Sequence, residues 1–472
     1  MNLHRRLAPL GAALIPLAGL PFALPADGIP RPRTAASRTA APRAAAPAAS
    51  AHSACPATGV VLKDRRRGPL TRGVTATSTR VVTRHGAISV HVVDVNLTTP
   101  GVHVHQLGDA VTHARTVLSA SHAQDHAIAA INGDLFHTTP DGVTTAPGGL
   151  MSSDRRPLKG WAISQPVVSV EHGVARIGWA HLRGVLFALH VPPGIATPAL
   201  PAASPSLTQG RRWKHVRHGA TRSKPVHLGP RAVPPPATSS PAAPVTATGS
   251  SGIRASIVPL TALNDDLATG AVVYTPAWGP GDRRAGWRVG SHEIDVRGTT
   301  VTHVRARPGQ DAPGPGTAAV VVDGASSRAL SWVRRGDRVA MSVQLVHDDT
   351  GRPLGTAISG NAVLLQEGLV QDPLCVLDVA GGSRPRVMVG TAAGGRHLAI
   401  VVADGDRPGH AGLTLREEAE LARTLGLQDA LNLDGGDSAQ LVQRIGGHLR
   451  QVNDTGSRAR RAVPDGLVIT RG

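Results

Sequence analysis

Aromatic side chains are almost missing from this chain: three Phe, one Tyr and six Trp among 472 residues. So few rings leave little on which single-stranded bases could stack. Lysine is nearly as scarce, present only at Lys63, Lys159, Lys214 and Lys224, so the formal charge of +18 is carried almost wholly by arginine. Such an excess ordinarily points to nucleic acid. With no helix-turn-helix or zinc-finger pattern beside it, the expected partner is an anionic cell envelope, and no nucleic acid. Cysteine occurs twice, at Cys55 and Cys375. That excludes a Cys-based zinc site or an iron–sulfur cluster and leaves open whether the two pair. The 22 histidines form no His-Glu-x-x-His or comparable ligand spacing.

Long apolar runs are lacking as well. The exception is 7–24, preceded by His4-Arg5-Arg6 and interrupted by Pro9, Pro16 and Pro21. Residues 1–26 therefore read as an export signal rather than a membrane span, by a Sec or a twin-arginine route. The expected location is secreted, extracellular, with no integral span once the signal is removed. Residues 27–72 read as an Ala/Pro/Arg-rich disordered spacer, most biased over 27–57. The domain is expected over 73–472, broken at about 192–252 by a low-complexity basic insertion that contains Arg211-Arg212-Trp213-Lys214 and Pro234-Pro235-Pro236. About 340 residues remain for folding, enough for one large or two intimately packed domains.

What is abundant is strand-like alternation, from 88–97 and 102–107 through 127–131 to 462–469. Helical periodicity is convincing only over 111–122 and 414–425. In the second, Thr414 is a natural N-cap, Glu417 completes a capping box and Gly426 ends the helix. The fold class expected is α+β: strand-rich mixed sheets with few helices, including one β-α-β unit near the C-terminus. That unit runs strand 398–403, helix 414–425, strand 430–433. Its strands are parallel, so the turns at Asp404-Gly405 and Asp434-Gly435 share one sheet edge, where ligands of such units bind.

Several other strands stop on glycine beside Asp or Asn: Asn132-Gly133-Asp134, Ser359-Gly360-Asn361, Asp404-Gly405-Asp406 and Asp434-Gly435-Gly436-Asp437-Ser438. Each alone is ordinary turn chemistry. Together they look like the rim of one cleft.

These segments also carry a resemblance. Ala129–Phe136 (AAINGDLF), Tyr274–Gly279 (YTPAWG), 358–368, 384–390, 404–409, 413–419, 431–438 and 461–466 occur in an order and spacing that resemble the phosphodiester glycosidase family. The likeness covers roughly 85–190 and 253–472. The family more often has Gly-Gly-Gly-Ser-Ser where this chain has Gly435-Gly436-Asp437-Ser438-Ala439, and Arg-Thr-Ala-Val-Gly where it has Arg386-Val387-Met388-Val389-Gly390.

The resemblance implies a secreted hydrolase cleaving a sugar-phosphodiester linkage at the anomeric carbon, with a phosphorylated glycan of the envelope or extracellular space as substrate. A phosphate monoester leaves readily, so one carboxylate plus donors for the phosphate can replace the usual carboxylate pair. On this reading Asp434 is the base or nucleophile, with Asp134 and Asp404 as partners. Arg386 is the first phosphate clamp and Arg461 the second. The amides of Gly133, Gly435 and Gly436 would hold developing negative charge. Asn132, Gly360, Asn361, Gly405, Asp437 and Ser438 complete the substrate-binding set. No cofactor is required; the several Asp side chains make Ca²⁺ the one cation to consider. The alternative is a non-catalytic envelope protein that binds phosphorylated glycans through the same cleft.

Overall fold

A computed structural model describes residues 59–138, 144–200, 243–249, 251–283, 288–371, 374, 382–405, 412–456 and 460–472. The expected export signal, both cysteines, Asp406 and most of the insertion lie outside the described residues. Strands dominate, with three short α-helices among the described residues, Val117–His122, Gly324–Leu330 and Leu415–Thr424. The chain is α+β and mostly β.

Three sheets make the body. An eight-stranded antiparallel sheet places His397–Ala403 beside Arg386–Ala392, and that strand beside Asp429–Asn432. Alternation along Arg386–Ala392 explains its two faces. Val387 and Val389 point toward a five-stranded sheet, into a core shared with Ile131, Leu441 and Ile469. Met388 points the other way, among Leu415, Ala419 and Leu421 of the Leu415–Thr424 helix. The helix has the capping box read from sequence: Thr414 accepts from the Glu417 amide, and Glu417 returns a bond to the Thr414 amide. His397–Ala403 and Asp429–Asn432 both run antiparallel to the strand between them, so they are parallel to each other, with that one strand inserted. A crossover of this kind brings their carboxyl ends to one edge.

The five-stranded sheet is antiparallel and centres on Ala127–Asn132, flanked by Leu441–Ile445 and Gly466–Arg471. The third sheet has thirteen strands, and the Gln165–Glu171/Val174–His190 hairpin pairs across its run, so that its order closes on itself. Leu182, Leu186, Leu263, Val273, Ile294, Val320 and Met341 fill the inside of that closure. Burying such a set is what stabilises it, at about 1.5–3 kcal/mol per large apolar side chain.

Three boundaries and one helix differ from the sequence reading. The expected helix over 111–122 forms only as Val117–His122, with Thr116 as its cap. Its first turn is captured instead by a neighbouring 3₁₀ turn: the Val111 and Thr112 amides donate to the carbonyls of Ala277 at 2.8 Å and Trp278 at 2.9 Å. Helix Gly324–Leu330 was not expected, being seven residues with Gly and two Ser. The spacer drawn through residue 72 ends earlier, because Val61–Thr71 pairs with Val74–Thr83 as an edge strand. The insertion likewise ends before 252, since Val245–Thr248 pairs with Arg254–Pro259.

Candidate functional site

Ala127–Asn132 is buried at every position, and its last residue lies opposite Gly466 in the sheet register. The turn after one strand therefore meets the residue before the other. Gly133 donates its amide to the Asp465 carbonyl at 2.9 Å, and the Asp134 amide donates to Asp465 Oδ1 at 3.1 Å. A Cβ on Gly133 would stand 2.7 Å from the Asp465 carboxylate, so only glycine fits there. From the edge of the eight-stranded sheet, the Asp434 amide donates to the Gly133 carbonyl at 2.9 Å. Asn132 locks that junction: its Nδ2 donates to the Asp434 carbonyl at 2.7 Å and its Oδ1 accepts from the Gln440 amide at 3.0 Å.

Three carboxylates from three strand ends thus converge, and each is pushed toward its neutral form. Burial raises Asp134 to about 7, with the Asp434 charge adding to the rise; the Leu135 and Gly149 amides and Lys159 oppose it. Burial likewise raises Asp434 to about 6, opposed by the Ser438 hydroxyl, Arg461, the Gly435 amide and Arg384. Asp465 is raised well above the usual range, first by burial and then by Asp134. Asp465 Oδ2 is buried without a hydrogen-bond partner among the described residues, as is Oδ1 of Asn432. Gly149 lets the Asp134 carboxylate in: a Cβ there would lie 2.5 Å from both Asp134 Oδ2 and Ser359 Oγ.

The thirteen-stranded sheet contributes the buried cation. Lys159 is 1% exposed, paired with Asp265, which also accepts from Trp161 Nε1. The second oxygen of Asp265 accepts the Leu267 and Ala268 amides at 2.9 and 2.8 Å, and its carbonyl accepts from the Tyr274 hydroxyl at 2.5 Å. At the open side stands Arg461, exposed, its guanidinium 4.9 Å over the ring of Phe136.

Of the residues expected from sequence, Asn132, Gly133, Asp134, Asp434, Gly435, Ser438 and Arg461 come together. Others do other work. The Asp404 carboxylate caps the Asp454 amide at 2.9 Å and faces His91 at 3.6 Å. Gly405 packs against Pro385 and Gly412. Arg386 is buried, donating to the carbonyls of Leu413 at 2.9 Å and Gly382 at 3.0 Å. Arg461 and Arg384 are cations that act on Asp434. Gly360 and Asn361 brace neighbouring strands through Pro166 and Asn432. Asp437 is exposed. The amides expected to hold developing charge are already engaged: Gly133 on Asp465, Gly435 on the Asp434 carboxylate and Gly436 on the Pro385 carbonyl.

Sequence reasoning missed Asp465, Lys159 and Asp265. Asp465 lies within 461–466, where it follows Pro464 as an ordinary turn residue would. Lys159, one of only four lysines and set between Leu158 and Trp161 in the strand Arg156–Trp161, is the available signal for the second.

Residues 291–470 match the family model described as phosphodiester glycosidase. This part of the chain is similar to the phosphodiester glycosidase family. Within it lie Arg384, Arg386, Asp404, Asp434, Arg461 and Asp465, while Asn132, Asp134, Lys159 and Asp265 precede it and are brought to it by the fold. The fold is similar to that of a hypothetical protein from Synechocystis, with a TM-score of 0.60 and 18% identity, covering 86% of this chain and 64% of that one. It is also similar to a putative exported protein from Burkholderia pseudomallei, with a TM-score of 0.54 and 17% identity over 83% of this chain and 76% of that one. The catalytic domain of zebrafish N-acetylglucosamine-1-phosphodiester α-N-acetylglucosaminidase aligns at a TM-score of 0.35 and 11% identity, over 87% of this chain and 89% of that one. That superposition is too loose to argue from. No curated protein matches the sequence at a significant level. Among the described residues no three His, Cys, Asp or Glu side chains group as metal ligands, and no helix is long and apolar enough to cross a membrane.

Proposed function

We propose that this phosphodiester glycosidase-like domain hydrolyses a sugar-phosphodiester at the anomeric carbon, acting on glycans of the cell envelope or extracellular space after export. The observation that carries the reading is the convergence of Asp134, Asp434 and Asp465 with Arg461 at their open side. Asp434, at about 6, is mostly ionised at neutral pH and is the base or nucleophile. Asp134, at about 7, keeps a proton part of the time and serves as its acid partner, with Asp465 holding its amide in place. Neighbouring carboxylates pushed to different protonation states are how such sites divide acid from base. Arg461 and Arg384 hold the phosphate, a good leaving group that asks little of the acid.

Incubation of the purified chain with sugar-1-phosphodiesters in ¹⁸O water tests this. Label in the sugar is expected. Label in the phosphate would replace the reading with P–O cleavage, and absence of turnover would leave a binder of phosphorylated glycans. Substitution divides the roles. Asp434→Asn should lower kcat by roughly a hundredfold or more, typical of a positioned acid–base group, with product affinity nearly unchanged. Arg461→Ala should chiefly raise KM and the product Kd, by about tenfold or more, because a charge-assisted contact is lost. Activity indifferent to Asp434→Asn would transfer the base to Asp134.

A further inference from the structure

A cavity of about 690 Å³ lies apart from the carboxylate cluster, within the thirteen-stranded sheet around the His292–Arg297/Thr300–Arg305 hairpin. Tyr274 stands between the two. Its hydroxyl donates to the Asp265 carbonyl at 2.5 Å, and the Arg283 guanidinium, which lines the cavity, stacks 4.8 Å from its ring centre.

The cavity is built from fixed charge. Glu293 is fully buried and held by Arg283 Nη1 at 2.9 Å, the Gly309 amide at 3.2 Å and Arg305 Nη1 at 3.5 Å. Arg305 Nη2 also holds Asp295, at 2.7 Å. Gly309 permits this crowding, because a Cβ there would lie 3.0 Å from Arg283 Nη2 and 3.1 Å from Arg305 Nη1. The inner carboxylates are thereby matched by guanidiniums. Two further lining arginines, Arg297 and Arg335, are exposed with no acidic partner among the described residues, and with Asp311 the only other acid in the lining the four arginines exceed the three carboxylates by one charge.

We propose that this cavity is a binding site for a small anionic sugar, whose phosphate or carboxylate meets Arg297 and Arg335 while its hydroxyls meet the carboxylate–guanidinium lattice. The volume falls within the range of roughly 300–1,000 Å³ typical of small-molecule pockets. Fixed planar donors beside acceptors suit vicinal hydroxyls, and guanidiniums bind oxyanions bidentately. Nothing in this requires the carboxylate cluster to be catalytic.

Calorimetric titration of the full chain with glucose 1-phosphate, glucose and inorganic phosphate tests it. Glucose 1-phosphate should bind at least tenfold more tightly than either fragment. Arg297→Glu/Arg335→Glu should weaken it at least tenfold with an unchanged thermal melt, while Arg461→Ala, which removes a phosphate contact at the carboxylate cluster, leaves binding at this site in place. Gly309→Val, which crowds the floor, should weaken it independently and serves if the double variant folds poorly. Wild-type affinity in both variants, or no binding by the wild type, overturns the site. Inorganic phosphate binding as tightly as glucose 1-phosphate overturns the sugar.

Discussion

Asp134 and Asp465 are buried against each other, and that arrangement makes stability depend on pH in a definite direction. An exposed Asp releases its proton near 3.8, whereas folded Asp134 keeps it to about 7 and Asp434 to about 6. Across that window the folded chain binds more protons than the unfolded one, so stability is fully present below about 3.8 and falls as pH rises toward 7. Asp134→Asn removes the buried charge, while its amide oxygen can still accept from Leu135. Urea denaturation should show the variant more stable than wild type at pH 8, by on the order of a few kcal/mol, with the difference vanishing near pH 4. An equal gain at both pH values would mean that packing, not ionisation, sets the effect. The expected loss of activity in the same variant would make Asp134 a site where function is kept at the expense of stability.

At the scale of single elements, the helix Leu415–Thr424 tests how far local signals carry. Thr414 and Glu417 are both buried, and Glu417 also meets His85 at 3.0 Å. Thr414→Ala should lower stability by about 1–2 kcal/mol, read from the urea midpoint with an unchanged slope. A loss under a few tenths of a kcal/mol would show that tertiary packing alone holds the helix. Its caps were legible because they are sequence-local, and so were the strands and the crossover that brings Asp434 to its edge. The helix expected over 111–122 was half wrong for the opposite reason: the Ala277 and Trp278 carbonyls, more than 160 residues away in sequence, take its first amides. The site divides along the same line. Glycine beside Asp at a strand end exposes Asp134 and Asp434 to a reader. The pairing of Asp465 with Gly133, and the Lys159–Asp265 pair, depend on register between distant strands, and the same register leaves Asp404 and Arg386 with other partners.

On the scale of the whole molecule, described residues of three sheets bury the apolar faces, and residues 201–242 of the low-complexity stretch expected at 192–252 lie outside them. The chain leaves the closed sheet after Val174–His190 and returns at Val245–Thr248, and both segments pair with Arg254–Pro259. The two ends of the intervening stretch are therefore anchored to the same strand. Loop-closure entropy grows by only about 0.6 kcal/mol for each doubling of the length between two anchored ends, so shortening this connection should change stability little. Replacing 201–242, which lies outside the described residues, with a short Gly/Ser linker should leave the thermal midpoint within a few degrees of wild type. Hydrolysis of a small sugar-1-phosphodiester should also be retained. Adhesion to anionic envelope material should weaken, because Arg211, Arg212, Lys214, Arg217, Arg222, Lys224 and Arg231 leave with the segment. Co-sedimentation with anionic vesicles at low and high salt, compared between the two chains, reads that last effect. A collapsed melting transition would mean that 201–242 contributes to the core, and equal sedimentation at low salt would place the adhesive charge on the folded sheets instead.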